Sequence, residues 1–152
     1  MFIAKNNDLI ILIKETEEEL RRALKFMVYT SIEETETEYE LYNGQYLTKE
    51  EIAQQEQERI GKLHLTRGDI FRALLLAKRV TRDQIRQIIE ALPEETQEQQ
   101  ITKELARIDF DEALEYYRGN QLVDIIGAQL LITPEQMTKF FETNDWHELI
   151  EE

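Results

Sequence analysis

The sequence contains no cysteine, only two prolines and five glycines, and a single serine, Ser31. Without cysteine there is no disulfide framework, no thiolate nucleophile and no zinc site built on sulfur ligands. The glycines are dispersed, so no glycine-rich loop is present to hold phosphate groups. Ser31 lacks the flanking glycines of a nucleophile elbow, which removes the usual signature of a serine hydrolase.

The histidines and carboxylates do not form a recognisable metal-binding pattern. His64 and His147 are far apart in the sequence, and neither belongs to a His-x-x-x-His spacing. An acidic cluster at 109–115 lacks the glycine and the alternating ligands of a calcium loop, so we interpret it as a solvated helix face. We therefore expect no catalytic residue, no metal, no cofactor and no small-molecule substrate.

Long hydrophobic runs are also missing. No apolar segment approaches the ~20 residues that a transmembrane helix requires, and the first residues do not resemble a signal peptide. At 41% hydrophobic residues the chain has enough apolar side chains for a core. Its 152 residues suit one domain, or a small module followed by a helical one. These features predict a cytoplasmic protein that does not associate with membranes.

Acidic residues greatly outnumber basic ones, but they are not evenly distributed. The formal net charge is −14, from 18 Lys+Arg and 32 Asp+Glu. Residues 1–58 contribute −8, residues 59–86 contribute +6 and residues 87–152 contribute −12. A basic segment therefore lies between two acidic ones. The total charge disfavours binding of the whole chain to nucleic acid or to an anionic membrane.

Residues 1–47 are predicted to form a small module that contains strands. Apolar runs at 2–5 and 9–13 flank a cluster of turn formers, and the second run fits either a buried strand or the approach to a helix. Residues 14–27 follow with acidic residues first and then one apolar stripe at helical spacing. The stripe consists of Leu20, Ala23, Leu24 and Met27.

The strongest local signal in this module is the Asn-Gly dipeptide at 43–44, which lies between segments that alternate polar and apolar residues. Because a type I′ turn needs two residues at positive φ, this dipeptide predicts a β-hairpin over 37–47. Tyr39, Tyr42 and Tyr46 lie on the hairpin, and cross-strand packing between them is the simpler interpretation. A binding face that includes Tyr42 and Tyr46 is the alternative.

Residues 48–152 are predicted to be almost entirely helical. A Thr-x-x-Glu capping box at 48–51 opens a polar connector helix, 48–62. Two helical hairpins are expected after it, at 66–92 and 101–142. The predicted fold class is therefore α+β, with a small N-terminal module containing a β-hairpin followed by a mainly helical bundle of hairpins.

Within the second hairpin, residues 101–117 are predicted to be one amphipathic helix. Its apolar residues are expected to face inward, and they are Ile101, Leu105, Ile108, Ala113, Leu114 and Tyr117. The Arg-Gly-Asn sequence at 118–120 is expected to end this helix with a left-handed cap. A helix over 121–131 and a last helix that begins at Thr133-Pro134 are expected to follow.

Two segments of the helical region match at an offset of 52 residues. Residues 80–85 align with residues 132–137, and residues 88–90 align with residues 140–142. A duplicated helical hairpin explains the match. Independent selection of a Thr-x-x-Gln capping box at each helix start explains it as well.

The basic segment supplies four candidate binding residues, Arg72, Arg79, Arg82 and Arg86. A helix over 66–78 and a second over 81–92 have the lengths of a DNA-reading helix pair, whose second helix reaches phosphates or guanine. The acidic flanks oppose a duplex, so we do not favour nucleic acid as the partner. The alternative is that the arginines pair with carboxylates of the same chain or of a neighbouring molecule.

Trp146 is the only tryptophan and lies close to the phenylalanines at 140–141. Tryptophan is common both in cores and among the residues that dominate the energy of protein interfaces. The simpler interpretation is that Trp146 caps the core of the helical region. The alternative is that it anchors a protein partner.

Four segments carry a family resemblance: residues 23–26, residues 33–48, residues 116–120 (Tyr-Tyr-Arg-Gly-Asn) and residues 140–145 (Phe-Phe-Glu-Thr-Asn-Asp). They resemble small acidic proteins encoded by phages and integrated prophages. The resemblance extends over most of the chain and supplies no catalytic residues. It implies a phage context, near tail or other virion genes, and therefore a location in the host cytoplasm or in association with the virion.

Together these observations predict a non-enzymatic interaction protein of phage origin, which acts as an assembly accessory, chaperone or adaptor. Its partner would be a phage structural protein or a host protein, and the opposed charge segments are compatible with a homo-oligomer. One alternative is an acidic nucleic-acid mimic that inhibits a host defence or DNA-binding protein. The other is a helix-turn-helix DNA-binding regulator that uses residues 66–92.

The arrangement of charged and apolar side chains distinguishes these three hypotheses. A continuous acidic face across residues 101–117 and 133–142 would favour the mimic. Convergence of the four arginines on an exposed convex face would favour the regulator. Arginines paired with carboxylates, beside an exposed apolar patch, would favour the assembly protein.

Overall fold

The computed structural model describes residues 1–150 and confirms the α+β fold class. The chain forms two compact units, of which the first is Met1–Gln57 and the second begins at Glu58. The first unit contains two small antiparallel sheets and a short helix, whereas the second is mainly helical. Each unit buries a hydrophobic cluster of its own.

The larger sheet of the first unit has three antiparallel strands in the order β2-β1-β3. The strands are β1 (Phe2–Asn6), β2 (Leu9–Lys14) and β3 (Ser31–Glu34). Asn7 in the turn between β1 and β2 has φ 55°, a left-handed conformation that asparagine tolerates. The apolar run at 9–13 is therefore a strand and not the approach to a helix.

Helix α1 (Glu17–Ala23) is shorter than predicted. Leu20 and Leu24 of the predicted stripe are buried with the apolar side chains of the sheet, whereas Ala23 and Met27 are exposed. Because the helix ends at Ala23, Met27 no longer follows helical spacing. The predicted apolar stripe therefore exists over a single turn.

The predicted β-hairpin is confirmed over a shorter span than 37–47. Strands β4 (Glu40–Tyr42) and β5 (Gln45–Leu47) pair antiparallel. Asn43 and Gly44 have φ 48° and 81°, as a type I′ turn requires. The local turn chemistry of the Asn-Gly dipeptide therefore determines this element.

The connector helix, α2 (Lys49–Lys62), begins where the capping box predicts it. Thr48 Oγ1 accepts a hydrogen bond from the Glu51 backbone N–H at 3.2 Å, and Glu51 Oε2 accepts one from the Thr48 N–H at 2.8 Å. No residue within α2 is buried, which agrees with its polar composition.

The rest of the described chain is dominated by helices that each follow a capping threonine or asparagine. They are α3 (Arg67–Lys78), α4 (Arg82–Glu90), α5 (Gln97–Glu112), α6 (Gln121–Gln129) and α7 (Pro134–Thr143), followed by a 3₁₀ helix (Trp146–Leu149). Helices α3 and α4 lie within 66–92, the range predicted to form the first helical hairpin. Within residues 1–150, no helix has both the length and the hydrophobicity needed to cross a membrane.

The second unit also contains two short strands that the sequence analysis does not predict. Strands β6 (His64–Thr66) and β7 (Glu115–Tyr117) pair antiparallel, with Leu65 opposite Tyr116. The prediction of one helix over 101–117 is therefore wrong. The chain becomes extended after α5 because pairing with β6 satisfies the backbone groups of β7.

The predicted left-handed cap at 118–120 is also wrong. Gly119 does not adopt a positive φ, and Asn120 instead caps α6 through a 2.8 Å hydrogen bond from the Leu122 N–H to its Oδ1. A Cβ atom at Gly119 would lie 3.4 Å from the Cα of Gly61. The glycine therefore permits a close approach of two backbone segments.

The backbone extends the sequence match at an offset of 52 residues. Arg79 and Leu131 adopt left-handed conformations, with φ 58° and 56°, two residues before the capping residues Thr81 and Thr133. Both threonines form complete capping boxes. The two turns thus share conformation as well as sequence, which duplication and independent capping both explain.

Candidate functional site

Helix α5 presents an apolar stripe to solvent. Ile101, Leu105 and Ile108, which we call the α5 stripe, are 53%, 50% and 49% exposed. The buried residues of α5 are Lys103, Ala106 and Phe110. At 100° per residue, the α5 stripe is centred about 160° around the helix from this buried face. The prediction that the stripe faces inward is therefore wrong.

The inward face of α5 is determined by one aromatic ring and one paired lysine. The Phe110 ring is buried, and its centroid lies 5.5 Å from that of Phe71. Lys103 is buried as well, and its Nζ donates to Glu94 Oε2 at 2.9 Å, which holds the pKa of Glu94 below its ordinary value. The phenylalanine supplies a large apolar surface, and the lysine adds its methylene chain while its ammonium stays paired.

Carboxylates flank the α5 stripe. Glu98, Glu104 and Glu112 are exposed and lie on the same half of the helix as the stripe. Arg107 pairs with carboxylates of two helices. Its Nε donates to Glu90 Oε1 of α4 at 2.9 Å and lowers the pKa of that carboxyl group, and its Nη1 donates to Glu104 Oε2 at 3.1 Å. The surroundings of the stripe are therefore acidic and apolar.

Two of the candidate arginines cover an aromatic surface. The guanidinium carbons of Arg82 and Arg86 lie 5.2 and 5.1 Å from the Phe110 ring centroid, and Arg82 is also 5.8 Å from the Phe71 centroid. Arg86 Nη2 donates to Asp111 Oδ1 at 2.6 Å. Cation–π contacts and this ion pair connect α3, α4 and α5.

The other two candidate arginines lie on α3 and at its end. Arg72 is exposed and pairs with Asp69 at 3.2 Å, while Arg79 is the exposed, left-handed C-cap residue. They are seven residues apart and share one side of the helix with Leu75 and Leu76, which are 46% and 40% exposed. We call Arg72, Leu75, Leu76 and Arg79 the α3 face. The four arginines are thus divided between two surfaces.

Trp146 packs against the core of the second unit, and part of its surface remains accessible. Its ring stacks on that of His147, with centroids 3.8 Å apart. Trp146 also lines a shallow pocket of about 100 Å³ together with Asn144 and with Asp69, Arg72, Ala73 and Leu76 of α3. The interpretation of Trp146 as a core cap is supported, and the pocket adjoins the α3 face.

The two candidate tyrosines do not share a surface. The register of the β4–β5 hairpin places Tyr46 opposite Leu41 and Tyr42 opposite Gln45. Because directly opposed residues project from the same side, Tyr42 and Tyr46 project from opposite sides of the hairpin. The Tyr42 hydroxyl donates to a carboxylate oxygen of Glu56. Neither the predicted cross-strand packing of these two rings nor one binding face containing both is formed.

Ion pairs connect the basic segment to the acidic segment that follows it. Arg59 Nη2 lies 2.7 Å from Glu142 Oε1, and Arg86 binds Asp111 as described above. Both pairs are partly exposed, so each contributes little to stability. They do neutralise part of the basic segment within the second unit.

A buried arginine adds to this internal pairing. Arg118 donates from Nη1 to Asp124 at 2.7 Å, from Nε to Thr138 at 3.1 Å and from Nη2 to the Pro134 carbonyl at 3.2 Å. These hydrogen bonds connect the end of β7 to α6 and α7. Since its donors are satisfied by three partners, Arg118 is a structural cation rather than a binding residue.

The predicted acidic cluster at 109–115 is also engaged in structure. Asp109 Oδ2 accepts a hydrogen bond from Asn120 Nδ2 at 2.9 Å, and Asp111 pairs with Arg86. Burial raises the pKa of the neighbouring Tyr116 to about 12. Within residues 1–150, no group of three or more histidine, aspartate or glutamate side chains is arranged to hold a metal ion.

The α5 stripe is recognisably apolar in the sequence, but its helical spacing predicts burial in the core, and no sequence signal marks Leu75 and Leu76 of the α3 face as exposed. A competing signal was available. Lys103, Ala106 and Phe110 also recur at helical spacing, and they include the only phenylalanine of α5. Periodicity alone does not decide between two such faces, because each satisfies a helical period.

Comparisons with protein-family models, with curated proteins and with solved structures each gave no match.

Proposed function

We propose that this protein is a non-enzymatic interaction protein that acts as an assembly accessory, chaperone or adaptor through its second unit. The observation that carries the proposal is the α5 stripe. Its three large side chains are about half exposed on the side of α5 opposite to the core. Apolar patches rimmed by polar residues are typical of sites where proteins bind one another.

The engagement of the arginines supports this proposal over a DNA-binding regulator. Arg82 and Arg86 pack on the Phe110 ring, and Arg86 is paired with Asp111. Arg72 and Arg79 belong to a different helix. A regulator needs basic side chains that are free to reach one groove of DNA, whereas Arg82 and Arg86 are engaged within the protein.

The positions of the carboxylates support the proposal over a nucleic-acid mimic. Helix α7 carries two carboxylates, Glu135 and Glu142, and Glu142 is paired with Arg59 at 2.7 Å. On α5 the glutamates alternate with the α5 stripe. A surface that imitates phosphate groups would be acidic without three large apolar side chains at its centre.

We also propose a phage or prophage origin, with a location in the host cytoplasm or on the virion. Support for the origin comes from the resemblance of residues 23–26, 33–48, 116–120 and 140–145 to small acidic phage proteins. The partner expected from this origin is a phage structural protein or a host protein.

The test compares capture of partners by three forms of the tagged full chain in lysogenic or infected cells. The forms are the wild type, the α5 variant Ile101→Gln/Leu105→Gln/Ile108→Gln, and the control Leu9→Thr/Leu41→Thr/Leu131→Asn. Like the α5 variant, the control replaces three exposed aliphatic residues by neutral polar ones, so the charge does not change. Any captured protein is then purified and its affinity measured directly.

We expect to capture one virion or host protein that binds the wild type and the control equally and the α5 variant at least tenfold more weakly. The reason is that a few large apolar side chains supply most of the binding free energy of an interface. Circular dichroism checks that each variant is folded. Equal binding by all three forms would contradict the role of the α5 stripe. Recovery of only a host nuclease, with no virion protein, would favour the mimic instead.

A further inference from the structure

We propose that the α5 stripe of one molecule binds the α3 face of a second molecule, so that the protein assembles head to tail. This inference rests on the proposed function, because it names a partner for the same α5 stripe. The two surfaces belong to the same unit and are both exposed. Three properties make them complementary: length, charge and shape.

The two surfaces have equal length along their helices. The α5 stripe runs from Ile101 to Ile108 and the α3 face from Arg72 to Arg79, and seven residues of helix span about 10 Å. Each surface contains large aliphatic side chains, with Leu75 in the middle of the α3 face. Packing one helix on the other would therefore cover the exposed apolar residues of both.

The two surfaces carry opposite charges. Glu98 and Glu112 flank the α5 stripe, together with Glu104, which pairs with Arg107. Arg79 flanks the leucines of the α3 face, together with Arg72, which pairs with Asp69. Contact between two α5 helices would bring like charges together, and so would contact between two α3 faces. Electrostatic complementarity therefore favours α3 against α5 and disfavours either symmetric contact.

The pocket beside α3 gives the contact a defined position. Ala73, Leu76 and Trp146 supply the apolar half of its lining, and Asp69, Arg72 and Asn144 supply the polar half; the volume of about 100 Å³ has room for one branched aliphatic side chain against the apolar wall. A leucine or isoleucine of the α5 stripe fits this description. Tryptophan at the wall of such a pocket is typical of the residues that contribute most to interface affinity.

A contact between two different surfaces leaves one of each free on every open assembly. It is therefore heterologous, and repetition gives a ring or an open filament rather than a symmetric dimer. Two short helical faces bury less area than stable protein interfaces require, so we expect a weak contact that repetition reinforces. The net charge of −14 opposes association at low salt.

The first experiment is sedimentation velocity of the full chain over a hundredfold range of concentration at physiological ionic strength. We expect the mass of the wild type to rise beyond two chains, because each added molecule leaves a free surface. The Ile101→Gln/Leu105→Gln/Ile108→Gln variant and the Leu75→Gln/Leu76→Gln variant should each remain monomeric. The control Leu9→Thr/Leu41→Thr/Leu131→Asn should assemble like the wild type.

The second experiment mixes the two monomeric variants. The α5 variant retains an intact α3 face and the α3 variant retains an intact α5 stripe, so the mixture should form a complex of two chains and none larger. Trp146 fluorescence should change on mixing, because Trp146 lines the pocket next to the α3 face. The variants Arg72→Glu/Arg79→Glu and Glu98→Arg/Glu112→Arg should each fail to assemble alone, because both surfaces of each variant then carry the same charge, whereas an equimolar mixture of the two should associate.

A wild type that stays monomeric over the whole range, or a mixture of variants that does not associate, would overturn the inference. Dimerisation of the α3 variant alone would overturn it too, since that result indicates a symmetric contact through α5. The proposed function is judged separately. A distinct partner captured through the α5 stripe would sustain it even if the protein never binds itself.

Discussion

The two units of this protein differ most in how they are held together. The first unit buries a small cluster, Ala4, Leu20 and Leu24, and leaves Phe26 92% exposed. Its ion pairs, such as Lys5–Glu33, lie on the surface, where each contributes little. The second unit buries large side chains from α3 to the 3₁₀ helix around Phe110. Since packing supplies most folding free energy, the second unit should be much the more stable.

The largest test of this difference removes the central ring of the second unit. Phe110→Ala should lower the free energy of unfolding by about 4 kcal/mol, because the ring is buried and two arginines pack on it. Urea unfolding followed by Trp146 fluorescence reports on this unit. The exposed Leu131→Asn variant serves as control, and an unchanged midpoint for Phe110→Ala would contradict the account of the core.

The corresponding change in the first unit is Leu20→Ala. Leu20 is fully buried, and its truncation should cost about 3 kcal/mol. In a unit with so small a core, this loss should abolish hydrogen-exchange protection of β1 and β3 while leaving the Trp146 transition unchanged. Phe26→Ala, at an exposed position close by, should change neither. If Leu20→Ala abolished the hydrogen-exchange protection and also shifted the Trp146 transition, the two units would have to unfold together.

Matched helix caps give a smaller and sharper comparison. Thr16 caps α1 and Thr133 caps α7, each accepting a hydrogen bond at 3.2 Å from the backbone N–H three residues later. Replacing either by alanine should cost about 1 kcal/mol. The same cost should accelerate hydrogen exchange about fivefold in both helices. Because α1 starts from the lower protection of the first unit, its amides should end closer to the unprotected exchange rate than those of α7. Equal remaining protection in α1 and α7 would contradict the difference in stability.

The smallest expected effect is on the stability of the two units at acidic pH. Hydrogen bonds from Lys5 and from Arg107 hold the pKa values of Glu33 and Glu90 below the ordinary value of 4.5. A lowered folded pKa means that the unfolded chain binds the proton first, so stability is present above pH 4.5 and is lost as the pH falls through the folded pKa. Glu33→Gln and Glu90→Gln should each reduce the loss of unfolding free energy that their own unit shows as the pH falls below about 4.5. The same loss in a variant as in the wild type would show that the ion pair does not contribute.

Local chemistry explains which elements the sequence predicted. The Asn-Gly turn at 43–44 and the capping boxes at Thr48, Thr81 and Thr133 depend on residues within four positions of one another. Each therefore forms wherever the segment is placed. The α+β fold class follows from these elements and from the helical periodicity between them.

The features that the sequence did not predict depend on distant partners. Strand β7 exists because β6 lies beside it, and nothing near Tyr116 in the sequence indicates that pairing. The orientation of α5 depends on Phe71 and Glu94, which contact Phe110 and Lys103 from other parts of the chain. The candidate site could not be predicted for the same reason. The α5 stripe is exposed because the opposite face of α5 packs against the core.

The pairing of β6 with β7 also has a kinetic consequence. It joins Thr66 to Glu115 and so closes a loop of about 50 residues that contains α3, α4 and α5. Helices form from local contacts and can assemble before such a loop closes. The two-stranded β6–β7 pair, which we call the ribbon, must instead bring distant segments together. The ribbon is therefore expected to form after the folding transition state. Substitutions in it should speed unfolding and leave the folding rate almost unchanged, so the ribbon controls how long the second unit stays folded.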